Sequence, residues 1–182
     1  MKTCIFASGR FNPPHKGHFE MINRVRQEIE LHHASHLIGV GNAYDKNNPI
    51  EPAKKLSYLR TLFPEINFVL LDNYNPSFFD LIYSLYKQGV EHLIIVVGSD
   101  RAKYFKDATQ SLNNQNNLFH FKKITIIADN RETNAKGEFA ISSTQLRKFA
   151  FENDFQKFFS LMSPEINKVL AKEIFNNIKR DW

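Results

Sequence analysis

Five short apolar runs alternate with helical patterns, and this alternation restricts the fold more than any other feature of the chain. Residues 3–7, 36–41, 66–71, 92–97 and 124–128 are rich in Ile, Val, Leu or Phe and are bounded by Gly, Asn or Asp. They read as strands buried on both faces. Between them Phe19, Ile22, Val25 and Ile29 form one helical stripe. Phe78, Leu81, Ile82 and Leu85 form another at i, i+3, i+4, i+7. Residues 52–63 and 100–110 are weaker helical patterns. Strands separated by helices predict an α/β fold: a Rossmann-like, doubly wound, parallel five-stranded sheet with right-handed crossovers.

Beyond the fifth run the pattern is all helical, over residues 142–152, 154–161 and 164–179. Ile166, Leu170, Ile174 and Ile178 recur every four residues and make a packing face. The expected organisation is an α/β part over 1–141 with C-terminal helices over 142–182 packed on it, one domain in all. A length of 182 residues fits one domain with a short extension. The Asn-rich stretch 112–119 reads as a mobile loop, and no internal repeat is evident.

Composition narrows the functional classes. Hydrophobic residues make up 42% and charged residues 24%, as in a globular chain. No run of 18 apolar residues exists, so no membrane span is expected. Met1 to Phe6 runs straight into a strand pattern, unlike a secretory signal. The single cysteine, Cys4, rules out an internal disulfide framework and a cysteine-based zinc cage, and reads as a small buried hydrophobe. A cytoplasmic location is the expectation. The net charge of +5 favours anionic partners. Its cations are spread along the chain, in runs no longer than Lys54-Lys55 or Lys122-Lys123, which argues against a nucleic-acid tail.

In open parallel sheets, ligands sit at the carboxyl ends of the strands. After the first strand stands Gly9-Arg10-Phe11-Asn12-Pro13-Pro14-His15-Lys16-Gly17-His18, followed at once by a helix. Two prolines and two glycines make a tight loop that delivers His15 and His18 to the helix N-terminus. Backbone N–H groups and the helix dipole favour an anion there, imidazole N–H groups add donors, and Gly17 permits close approach. In isolation the segment could be a proline-rich turn with two incidental histidines; its place between first strand and first helix favours the anion site. Neither G-x-G-x-x-G nor G-x-x-x-x-G-K-S/T occurs anywhere.

After the fifth strand, Ile141-Ser142-Ser143-Thr144-Gln145-Leu146-Arg147 opens a helix. Ser142 and Gln145 fit a capping box. Three hydroxyls on the first turn, with Arg147 one turn on, also suit a phosphate. One triphosphate could span the two helix N-termini.

Together, residues 9–18, residues 141–147 and Gly98-Ser99-Asp100 resemble the nucleotidyltransferase superfamily marked by H-x-G-H, over most of the chain. The versions here look like those of adenylyltransferases, nicotinamide mononucleotide adenylyltransferase above all, including phage-type members. The segment 48–55 resembles the loop after the second strand in those enzymes, with Lys54 or Lys55 in place of the usual arginine. The Trp-Arg pair common in bacterial nicotinate enzymes is replaced by Arg101-Ala102-Lys103-Tyr104-Phe105.

The resemblance implies transfer of AMP from ATP to a phosphate monoester. The acceptor would be nicotinamide or nicotinate mononucleotide, giving NAD or its acid form and pyrophosphate. Alternatives are a phosphopantetheine adenylyltransferase, a CTP-dependent cytidylyltransferase, and a non-catalytic nucleotide sensor. A fragment related to class I aminoacyl-tRNA synthetases is disfavoured, for want of a lysine-rich second signature and an anticodon domain.

The resemblance also implies roles. His18 donates to the α-phosphate, His15 with Ser143 and Thr144 holds the β- and γ-phosphates, and Arg147 binds the leaving pyrophosphate. Gly9, Arg10, Phe11, Lys16, Gly17 and Ser142 complete the ATP and phosphate set, with Lys16 open between phosphate contact and solvated surface. Asn48, Lys54, Lys55, Gly98, Asp100 and Arg101 form the acceptor set, with Asp100 equally readable as a helix cap. Mg²⁺ rides on the triphosphate without protein ligands. Partners are small nucleotides, not nucleic acid or membrane.

His32 and His36 stand at i, i+4 spacing, but nothing nearby completes a metal set, and cationic residues suit a helix C-terminus. Phe151, Phe155, Phe158 and Phe159 either pack the helical tail or form a homo-oligomer interface. Trp182 is terminal.

Overall fold

The computed structural model of the chain describes residues 1–115, 118–129 and 141–179. Its elements run β1 (Thr3–Gly9), α1 (Lys16–His32), β2 (Ser35–Val40), α2 (Pro52–Leu62), β3 (Phe68–Leu70) and α3 (Phe78–Lys87). They continue with β4 (His92–Gly98), α4 (Ser99–Gln110), β5 (Lys123–Asp129), α5 (Ser143–Phe151), α6 (Phe155–Ser160) and α7 (Lys168–Lys179). The five strands form one all-parallel sheet in the order β3-β2-β1-β4-β5. The chain winds outward from β1 to β3, then returns across β1 to β4. The switch point of this doubly wound fold therefore lies between the carboxyl ends of β1 and β4.

The period of two along each strand divides the core into two layers. Ile5, Ala7, Ile38, Val40, Phe68, Ile94 and Val96 face α1, α2 and the C-terminal helices. Cys4, Phe6, Leu37, Leu93, Ile95 and Val97 face α3 and α4. This explains why the strands read as unbroken apolar runs rather than alternating ones. The edge strand β5 departs from that expectation, since most of it is only half-buried and Lys123 is exposed. The apolar run 66–71 yields only three ladder residues, although Ile66 and Leu71 are buried beside them.

The tail packs through Leu146, Ala150, Phe158, Ile166, Ala171, Ile174, Phe175 and Ile178, which share a cluster with Ile5, Phe11 and Phe19. Phe158 and Phe175 meet edge to face at 5.2 Å. Each buried phenylalanine of this kind contributes up to about 3 kcal/mol. Phe151 stands apart at 44% exposed.

The Asn-rich stretch is not an open loop over its described residues. α4 runs on into a π-helical turn, Ser111–Gln115. Phe121 N–H donates to Asn113 Oδ1 at 2.8 Å, and Phe119 is fully buried. The two phenylalanines anchor what polarity alone presents as mobile. Trp182 lies outside the described residues.

Candidate active site

The cleft at the switch point has a volume of about 210 Å³. Three segments build it: Ser8, Gly9 and Arg10 at the end of β1, Gly98, Asp100 and Arg101 where β4 passes into α4, and Ser142, Ser143 and Thr144 opening α5. His15 and His18 enter from the start of α1. The N-termini of α1, α4 and α5 thus converge on one cavity, and their dipoles all favour an anion within it.

The two histidines cap their own helix. Gly17 N–H donates to His15 Nδ1 at 3.1 Å, and His15 N–H donates to His18 Nδ1 at 3.2 Å. A backbone N–H can only donate, so both Nδ1 atoms are acceptors and the neutral imidazoles carry their proton on Nε2. Both residues line the cleft, and in this tautomer the Nε2–H of each ring is a hydrogen-bond donor. The rings lie 4.0 Å apart, and His18 rests on the Phe11 ring at 4.6 Å.

Phe11 is fully buried, with a left-handed φ of 50°, and belongs to the core. This corrects the expectation of a direct ligand contact: Phe11 supports His18 from below. Gly9 is required by the same ring, because a Cβ there would come within 2.9 Å of it.

The loop after β1 and the first turns of α5 are tied together, although at least 130 residues separate them. Ser143 Oγ donates to Pro13 O at 2.9 Å. Arg147 Nη1 donates to Asn12 O at 2.7 Å, and its Nη2 donates to Thr144 Oγ1 at 3.0 Å. Asn12, which sequence reasoning passed over, fastens the loop on its other side: Ile50 N–H donates to Asn12 Oδ1 at 3.0 Å and Asn12 Nδ2 donates to Ile50 O at 3.3 Å. The Asn12-Pro13 peptide is cis. Ser142 and Gln145 form the expected capping box. Arg147 lines a neighbouring groove with Lys46, Asn47 and Lys148, and Thr144 is common to both cavities. Burial first, then Arg10, lowers the Arg147 pKa, while Asp45 opposes them.

Several expected site residues lie elsewhere. Lys16 is exposed at the start of α1, 4.0 Å from Glu20, because its side chain leaves the helix on the solvent side. Gly17 is buried and its N–H serves His15, so it is a capping partner rather than an approach point. Asn48 folds onto Asp45, donating from Nδ2 at 3.0 Å, and closes a turn. Lys54 is exposed and reaches Asn177 on α7 at 3.5 Å. Lys55 points inward and is 1% exposed. The acceptor set is therefore divided: Gly98, Asp100 and Arg101 line the cleft, and Asn48, Lys54 and Lys55 do not. The cap of α4 is Gly98, so Asp100 is not the helix cap. Asp100 instead stands in the first turn of α4, in the cleft wall.

Ser8, Met21, Val97, Phe105 and Ile141 complete the lining. Ser8 and Val97 follow from the strand-end rule, and Met21 from its place three residues after His18. Phe105 is visible only once α4 is docked. Among the described residues no group of three or more His, Cys, Asp or Glu could hold a metal, and no helix is long and apolar enough to cross a membrane.

The profile of a family described as cytidylyltransferase-like matches residues 6–149. A protein described as a probable nicotinate-nucleotide adenylyltransferase, from a Nitratiruptor species, is 31% identical over 74 residues. That alignment takes in 41% of this chain and 41% of the relative, well under half of either. A putative nicotinate-nucleotide adenylyltransferase from Vibrio parahaemolyticus superimposes with a TM-score of 0.58 at 19% identity, over 97% of this chain and 100% of that one. Plasmodium falciparum nicotinic acid mononucleotide adenylyltransferase, solved with NaAD, gives 0.60 at 17% identity, over 97% and 98%. At these identities the structural likeness is one of fold.

Proposed function

The chain belongs to the cytidylyltransferase-like family, and from that membership we propose that it is an adenylyltransferase. It would transfer AMP from ATP to the phosphate of nicotinate or nicotinamide mononucleotide, releasing pyrophosphate. The observation that carries this reading is the convergence of three helix N-termini, two Nε2–H imidazoles and three hydroxyls on one cleft. The described names of the Nitratiruptor and Vibrio proteins support the nicotinate-type acceptor.

In this mechanism an oxygen of the acceptor phosphate forms a bond to the α-phosphorus of ATP, and the bond to the bridging oxygen of pyrophosphate breaks. The attacking phosphate is already ionised near pH 7, so no general base is needed. Catalysis rests on alignment and on stabilising charge that develops in transfer. His18 Nε2–H donates to the α-phosphate, while His15, Ser143 and Thr144 hold the β- and γ-phosphates. Arg147 meets the departing pyrophosphate beyond Thr144. Asp100 and Arg101, on the β4 side, face the acceptor. Mg²⁺ enters as the counter-ion of the triphosphate.

The test is a panel of ATP and CTP against nicotinate mononucleotide, nicotinamide mononucleotide, phosphopantetheine and a phosphorylated alcohol, read as pyrophosphate release. Turnover with ATP and either mononucleotide is expected. Turnover confined to CTP or to phosphopantetheine would reassign the substrates. ATP binding without pyrophosphate from any acceptor would leave a nucleotide sensor.

A further inference from the structure

Two side chains that ordinarily carry a full charge at neutral pH are buried among the described residues, Glu28 and Lys55. They are treated very differently. Glu28 is matched by Arg24 at 2.7 Å and by His32 at 3.4 Å. Lys55 has no carboxylate partner among the described residues, and its Nζ donates to Gly41 O at 2.5 Å. A buried charge without a counter-charge costs several kcal/mol, so such a lysine is normally purged or neutralised.

Its surroundings say what the charge faces. Gly41 is also joined to a cleft residue, because its N–H donates to Gly9 O at 2.9 Å. A Cβ at Gly41 would stand 3.6 Å from both Cα and Cγ of Arg10, so the Arg10 stem lies directly on this peptide. Arg10 lines the cleft, and it repels Lys55 on one side and Arg147 on the other. Arg10 at the cleft thus acts on two further cations, Lys55 on α2 and Arg147 on α5, and Asp45 opposes it only at Arg147.

We propose that Lys55 is a positioning residue for phosphate binding: its ammonium fixes the Gly41 peptide under Arg10 and adds a buried positive charge that only a bound anion compensates. This rests on the nucleotide-binding reading above. Burial, and then Arg10, bring the Lys55 pKa down to about 8. An anion at Arg10 acts in the opposite sense and raises it, so ATP binds the protonated form better. Affinity is flat below pH 8 and falls above it, by up to about tenfold per pH unit for one linked proton. The other groups facing this region do not titrate in that window. Guanidinium groups in general keep their charge there, Asp45 is held below the usual carboxylate range by Asn48 and Asn47, and burial, then Glu173, push Tyr58 on the same helix up to about 12.

The experiment is calorimetry of MgATP binding to the whole protein between pH 7.5 and 9.5, in two buffers of different ionisation heat. The last phosphate proton of ATP, with a pKa of about 6, is already gone there, and imidazoles in general are neutral. The wild type is expected to weaken at least fivefold across the range and to take up protons on binding. Lys55→Met should bind about tenfold more weakly at pH 7.5, lose the pH dependence, and melt no lower than the wild type. Lys55→Arg should bind without pH dependence. ATP binding that is equally tight at both pH extremes would overturn the proposal while leaving the proposed function standing. So would a Lys55→Met variant that melts lower yet binds ATP with wild-type affinity and pH profile, which marks Lys55 as a packing residue. A wild type that binds no ATP at any pH would remove both.

Discussion

The two ends of α1 carry histidines in contrasting settings. At its start, His15 and His18 accept backbone N–H groups at Nδ1, and both residues line a cleft. At its end, His32 leans on Glu28 at 3.4 Å and stands 6.0 Å from the His92 ring. His92 Nε2 contacts Thr125 Oγ1 at 2.9 Å, and His36 Nε2 accepts from Asn67 N–H at 3.0 Å. Imidazoles at the lower end close a structural seam between helix and sheet. Those at the upper end use one nitrogen to cap the helix, at the wall of the cleft. What separates the two ends is the strand direction: the carboxyl edge gathers helix N-termini, and the amino edge gathers helix C-termini.

The sharpest way to break this contrast is to remove the support beneath His18. Phe11→Ala empties a fully buried site in the larger core cluster. It should cost about 3–5 kcal/mol in urea unfolding and release His18 from its place. An undiminished stability would mean that the loop is not held from below. Next comes His18→Ala, which should leave ATP binding measurable but lower turnover by about 10²-fold or more. His32→Ala should leave turnover within about twofold. If both variants were equally active, the distinction between the ends, and the assignment of His18, would fall.

The smallest effect concerns acid. Burial, then Lys123 and His32, lower the His92 pKa below 6.5. Between that depressed value and the ordinary one the unfolded chain binds more protons than the folded chain. The resulting loss of stability therefore begins as pH falls through about 6.5. His92→Gln should flatten this acid-side slope by less than about 1 kcal/mol, as read from melting temperatures between pH 7.5 and 5. An unchanged slope would show that the lower seam does not titrate as described.

Reading the sequence located the cleft because its motifs are local. Residues 9–18 and 141–147 each combine a strand end with a helix start, and such junctions announce themselves through Pro, Gly and hydroxyl residues. The metal-like spacing of His32 and His36 had no such support. α1 stops there, with His33 in the left-handed region at φ 46°, so the two histidines never share a helical face. The Asn-rich stretch misled in a different way: local polarity concealed the anchoring of Phe119 and Phe121 in the distant core under α3 and α4.

The order of strand and helix, the position of the cleft at strand ends and the pairing of two phosphate-type motifs were determined by the sequence itself, since each depends on residues close together in the chain. Which lysine faces inward was not. Lys54 and Lys55 are neighbours, yet one turn of α2 divides into steps of about 100° per residue. That rotation sends Lys54 to the solvent side beside Asn177 and Lys55 beneath Gly41 and Arg10. Only the docking of α2 on the sheet chose between them, because burial belongs to the packed fold and is not carried by any residue alone.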